Sequence, residues 1–132
     1  MKRLPQNALV KAMYQRLSSV TGLTVYDDVP KEAVLPYATF GMGTSDQNGA
    51  KLVDMTDTTQ EIHIYTDYQG RKQLNNIADA IIEELGSSPL DLSADNFQFL
   101  MGEVTRYEAD SEDTAGYHGV LTFTCKIQNL EM

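Results

Sequence analysis

Apolar side chains recur at Leu9, Met13, Leu17 and Val20, positions that fall on one face of a helix. The spacing predicts an amphipathic helix from about Pro5 to Val20, with Lys11, Gln15 and Ser18 on its wet side. Pro5 suits a first turn, where a missing N–H is not needed, and Gly22 can take the left-handed conformation that closes the helix. A stronger stripe, Leu74, Ile77, Ala78, Ile81, Ile82 and Leu85, predicts a second helix over about Gly70 to Leu85, ended by Gly86.

Between and after the helices the period changes to two. Leu23 to Tyr26 and Tyr37 to Met42 read as short strands, separated by a turn at Asp27-Asp28-Val29-Pro30. Thr59 to Tyr65 alternates, with Ile62 and Ile64 on one face and Glu61, His63 and Tyr65 on the other. A stub at Leu90 to Leu92 leads to a strand over about Phe97 to Tyr107. There Gly102 interrupts the alternation and Val104 resumes it out of phase, as a bulge requires. The last strand, Tyr117 to Ile127, places Tyr117, Leu121, Phe123, Cys125 and Ile127 on one face and is expected to sit centrally. From Gly43 to Asp57 the chain is polar, with Asn48-Gly49 as a turn signal, and a mobile loop is expected at about 44–56.

This order predicts an α+β fold: a largely antiparallel or mixed sheet of about five to six strands, with two helices packed on one face. With no repeat and no Pro/Gly linker, residues 1–132 read as a single domain. No apolar run suits a bilayer or a signal peptide, so residence inside a cell is expected. A formal charge of -9 disfavours nonspecific binding to nucleic acid, which needs clustered Lys and Arg. The single cysteine, Cys125, can form no internal disulfide, and on an apolar strand face it reads as an inert buried thiol.

The inventory for catalysis is thin. The sequence holds no phosphate loop with its Lys, no His-Glu-x-x-His helix and no Gly-x-Ser-x-Gly elbow, so no enzyme activity and no cofactor are expected. His63 and His118, both on polar strand faces, could form a cross-strand metal site with Glu61; the plainer reading is two surface or interface histidines, and no metal is assigned. Asp27 and Asp28 read as turn residues, not as paired acids. Glu108, Asp110, Glu112 and Asp113 cluster near an expected hairpin tip, either as a solvated loop or as a negative lining that repels DNA.

One charge pattern runs against local physics. Arg71 and Lys72 stand at the positive end of the second helix, and Glu83 and Glu84 at its negative end. Each mismatch costs about 0.3 to 1 kcal/mol when exposed. Either the helix tolerates it, or these ends meet complementary charges on neighbouring subunits.

The run Ile-Tyr-Thr-Asp-Tyr-Gln-Gly-Arg-Lys-Gln-Leu-Asn-Asn-Ile-Ala-Asp-Ala-Ile at 64–81 resembles a phage family. So do Val-Tyr-Asp-Asp-Val-Pro at 25–30, Leu-Pro-Tyr-Ala-Thr-Phe-Gly at 35–41 and Tyr-His-Gly-Val-Leu-Thr-Phe at 117–123. Their order across nearly the whole chain is similar to the tail-completion proteins of long, non-contractile-tailed phages, also described as tail terminators or tail-to-head joining proteins. The resemblance implies a structural virion protein at the head–tail interface, assembled in the host cytoplasm, with no catalytic residues. It implies a hexameric ring of identical subunits that caps the major tail tube protein, stops elongation and meets the head completion or connector protein. Genome DNA would pass through without specific binding, and no membrane is involved.

A ring needs two different patches of one subunit to match. On this reading Arg71, Lys72, Glu83 and Glu84, with Asp46, Lys51 and Asp54 of the polar stretch, are candidate interface residues, and the acids at 108–113 are candidate channel lining. The competing readings are a head-completion or connector protein, a small ligand-binding or enzymatic α+β domain, and an adaptor acting as monomer or dimer.

Overall fold

The alternation read at Thr59 to Tyr65 belongs to a longer strand, β3 (Met55–Thr66), in which every second side chain is buried. The computed structural model describes residues 1–49, 52–67, 70–112 and 116–131. Around β3 stand α1 (Gln6–Leu17), β1 (Thr24–Tyr26), β2 (Tyr37–Gln47), α2 (Arg71–Gly86), a 3-10 turn at Ser93–Asp95, β4 (Phe97–Glu112) and β5 (Gly116–Asn129). The sheet order is β1-β2-β3-β5-β4, with β1 parallel to β2 and the other pairs antiparallel. The fold is α+β, two helices on a five-stranded mixed sheet; β3 is the middle strand, and β5, expected to be central, is interior but lies one place from the edge.

Both helices cover one face. Ile62, Ile64, Leu121, Phe123 and Ile127 from the central strands join Leu9, Met13 and Leu17 of α1 and Leu74, Ala78 and Ile81 of α2 in one core. Full burial of each large aliphatic contributes about 1.5 to 3 kcal/mol, so these positions hold the helices to the sheet. Among the described residues no helix is long and apolar enough to cross a membrane.

Helix α1 stops at Leu17, short of Val20. The hydroxyls of Ser18 and Ser19 turn back onto the carbonyls of Tyr14 (2.7 Å) and Arg16 (2.8 Å), which competes with further helical bonding. Gly22 is left-handed, at φ 78°, but in the turn beyond the helix. Gly86 is the last residue of α2 and is not left-handed; Ser87 closes that end through its hydroxyl, 2.8 Å from the carbonyl of Glu84.

The polar stretch at 43–57 is mostly strand, with β2 running to Gln47 and β3 beginning at Met55, so the loop expected at 44–56 overlaps both strands. The inward-facing positions there are polar and satisfy one another, so no apolar alternation betrays the hairpin. Thr58 Oγ1 lies 3.0 Å from both Ser45 Oγ and Thr56 Oγ1, and Gln60 Nε2 donates to the carbonyl of Gly41 at 3.1 Å.

The bulge expected at Gly102 is two bulges that flank it, at the register shifts Phe99/Met101 and Val104/Arg106. Gly102 itself pairs with Cys125, and its missing side chain leaves room for the Phe99 and Phe123 rings, 6.1 Å apart. Strand β4 continues past Tyr107 to Glu112, so Glu108 and Asp110 are strand residues and not part of a hairpin tip.

Candidate functional site

The sheet face opposite the helices carries a hydrogen-bonded chain of titratable groups. Its alternating positions put Glu61, His63 and Tyr65 of β3 beside Thr122, Val120 and His118 of β5. Glu61 Oε1 accepts from His63 Nε2 at 2.9 Å, and His63 Nδ1 lies 2.8 Å from His118 Nε2, so one ring donates and the other accepts. A register shift in β2 between Phe40 and Gly43 brings in a third partner: the N–H of Met42 donates to Glu61 Oε1 at 3.3 Å.

Gly41 makes the arrangement possible. A Cβ there would lie 2.2 Å from His63 Nε2 and 3.0 Å from Glu61 Oε1, so only glycine lets the imidazole lie across β2. The hydrogen bond from His63 holds the Glu61 carboxyl below the ordinary carboxylate range, against the opposing effect of burial and with help from Met42.

Aromatic rings extend the row. Tyr65 stacks on His118 with centroids 4.4 Å apart, Tyr37 on Tyr65 at 5.2 Å, and Tyr26 meets Tyr37 edge-on at 5.7 Å. Such cross-strand contacts brace a sheet face that no helix covers. Among the described residues no group of three or more His, Cys, Asp or Glu is arranged to hold a metal ion, and Glu61, His63 and His118 are joined by hydrogen bonds. Burial, with Asp57 nearby, pushes the Cys125 thiol up to about 12, which leaves it protonated and unreactive.

The expected interface residues are dispersed. Arg71 and Lys72 are exposed at the start of α2, and the Arg71 guanidinium sits 5.3 Å from the centroid of the Tyr117 ring. At the other end Glu83 is exposed, but the carbonyl of Glu84 already receives Arg16 Nη1 at 3.1 Å. The same guanidinium reaches the carbonyls of Ser88 (3.0 Å) and Pro89 (3.2 Å). A cation from α1 therefore completes the negative end of α2 within the chain. Sequence reading missed Arg16 because nothing local links it to a carbonyl far along the chain.

Asp46 is exposed on the open face, opposite Asp57. Asp54 is engaged internally: its carboxylate accepts from Asn129 Nδ2 (2.9 Å) and the Lys2 N–H (3.0 Å) and pairs with the Met1 amine (3.3 Å). These bonds, led by Asn129, lower its pKa. Glu108 and Asp110 lie on the open face opposite Val120 and His118, Glu108 paired with Arg106 through Nε at 2.9 Å. Glu112 is a strand residue, while its side chain, together with Lys51 and Asp113, lies outside the described residues. Asp27 and Asp28 are exposed at a bend after β1.

Two helices on one side of a five-stranded mixed sheet, with an open face braced by cross-strand rings, define an α+β subunit, and solved structures carry the same fold. The chain aligns with a protein in the virion of a native gene transfer agent particle at a TM-score of 0.81 and 23% identity, covering 93% of this chain and 96% of that one. It aligns with the gp17 protein of bacteriophage SPP1 at a TM-score of 0.61 and 19% identity, covering 99% and 96%. Comparison with curated proteins gave no match. Residues 8–128 match the sequence profile of the family described as tail completion protein gp17, and the chain belongs to that family.

Proposed function

We propose that this chain closes the tail tube as a ring, ends its elongation and joins the tail to the head connector. Membership of the tail-completion family over residues 8–128 carries the reading. The structure supplies parts that suit it. A face clad by α1 and α2 can look outward, while the open face presents Asp46, Glu61, Glu103, Glu108 and Asp110 against Arg106 and Lys126. Turned toward a channel, that excess of acid would repel phosphate and let the genome slide. The partners on this reading are further copies of the chain, the tail tube protein and a head connector protein; the chain itself needs no cofactor.

The test is to image particles assembled without the protein. Overlong tails without heads are expected. Tails of normal length that merely lack heads would favour a head-completion or connector role instead, and normal particles would end both readings.

A further inference from the structure

The sheet has two unlike edges that no strand of the described residues pairs. Strand β1 covers β2 only at Tyr37, Ala38 and Thr39, which leaves Gly43–Gln47 open on that side. At the opposite edge β4 has β5 on one side only. Open backbone N–H and C=O groups are templates for pairing, and proteins usually shorten, bend or charge such edges. Strand β4 is managed in this way: bulges at Leu100 and Thr105 interrupt its regular backbone, which past Leu100 falls into two stretches, Met101–Val104 and Arg106–Glu112.

These two stretches stand at the same height in the sheet. Gly43, Gln60, Phe123 and Val104 form one cross-strand row, and Asp46, Asp57, Lys126 and Met101 form another three residues away. Level with Glu108–Asp110 of β4 the slot beside β2 is filled by β1, which leaves Met101–Val104 as the stretch of β4 that stands level with open backbone on β2. Strand direction matches as well. From β2 through β3 and β5 to β4 every neighbour is antiparallel, so β4 beside the β2 of another copy would continue the alternation unbroken. The large apolar side chains left exposed on the sheet also sit at these edges: Met42 on β2, and Leu100, Met101 and Tyr107 on β4, with none on β3 or β5.

We propose that copies of this chain join head to tail by β-sheet pairing, Met101–Val104 of one subunit adding to Gly43–Gln47 of the next. The contact is heterologous, and with a rotation that closes, its repetition makes a ring whose sheets form one continuous wall. The inference rests on the ring reading above and adds which surfaces make the contact. It also gives the bulges of β2 and β4 a role, since they interrupt each edge and so resist open-ended aggregation.

Disulfide trapping in assembled tails tests it. Thr44→Cys is combined in turn with Met101→Cys, Glu103→Cys and Arg106→Cys, all open-face positions, so that level pairing and a two-residue stagger in either direction are covered. The native thiol at Cys125 is buried and stays silent. After mild oxidation of purified tails, one of the double variants is expected to lose its monomer band to a ladder ending at a closed oligomer. The single variants are expected to stay monomeric on the gel. Tails that contain the protein as a ring but give no ladder would overturn the edge assignment and leave the ring standing. A disulfide-linked dimer from any single variant would mean a two-fold contact and overturn it too. Tails that lack the protein would overturn the ring reading and the edge assignment together.

Discussion

Arg16 on α1 and Glu84 on α2 are joined by one hydrogen bond, the guanidinium Nη1 donating to the backbone carbonyl at 3.1 Å. Through it the first helix closes the end of the second. Replacing Arg16 with Ala leaves several carbonyls without their charged donor, and a loss of about 1.5 to 3 kcal/mol is expected. Urea denaturation measures it, and Arg16→Lys, a point charge without the fork, is expected to recover only part.

Gly41→Ala is expected to destabilise the fold by about 1 to 3 kcal/mol, because the added methyl group meets the His63 ring and forces it off Glu61. The imidazole resonances of His63 and His118 should both shift in the NMR spectrum. Alanine at Gly22 is a useful contrast, since there the strain comes from a positive φ and nothing crowds the side chain.

Acid is expected to weaken the protein through Glu61 and Asp54. Both carboxyls are lowered in the folded state, Glu61 chiefly by His63 and Asp54 chiefly by Asn129. A lowered folded pKa means the unfolded chain takes up protons first. The stabilisation is therefore complete above the ordinary carboxylate range and fades as pH falls through the folded pKa values. Denaturation midpoints measured from pH 7 down to pH 3 should drop, and Glu61→Gln should flatten part of that slope. A profile unchanged by the substitution would remove Glu61 from the account.

Reversal of Arg71 and Lys72 to Glu is expected to weaken assembly on tails while leaving the folded monomer intact. Both side chains are exposed, so little core energy depends on them. Assembly that is unchanged across a salt series would show that these charges take no part.

Much of the fold was readable because burial and polarity agree along β3, β5 and α2. Ile62, Ile64, Leu121 and Phe123 are apolar where the sheet is covered, and His63 and His118 are polar where it is open. The hairpin end was hidden for the opposite reason, since Thr56, Thr58 and Gln60 are buried and polar. The irregularity at Gly102 could be seen, but its resolution into bulges at Leu100 and Thr105 depends on how the Phe99 and Phe123 rings settle. Of the site, the placing of Glu61, His63 and His118 on polar strand faces followed from alternation, while the clearance over Gly41 did not. Contacts between distant segments, such as Arg16 with Glu84 or Asp54 with Asn129, leave no local trace in the sequence.

The strand completed last along the chain, β5, lies between β3 and β4. On the ribosome, β3 and β4 must therefore wait with facing edges bare until residues 116–129 have emerged, and only then can the sheet zip shut. Until β5 is in place those bare edges are templates for unwanted pairing, so the sheet is most open to misassociation before its interior strand arrives.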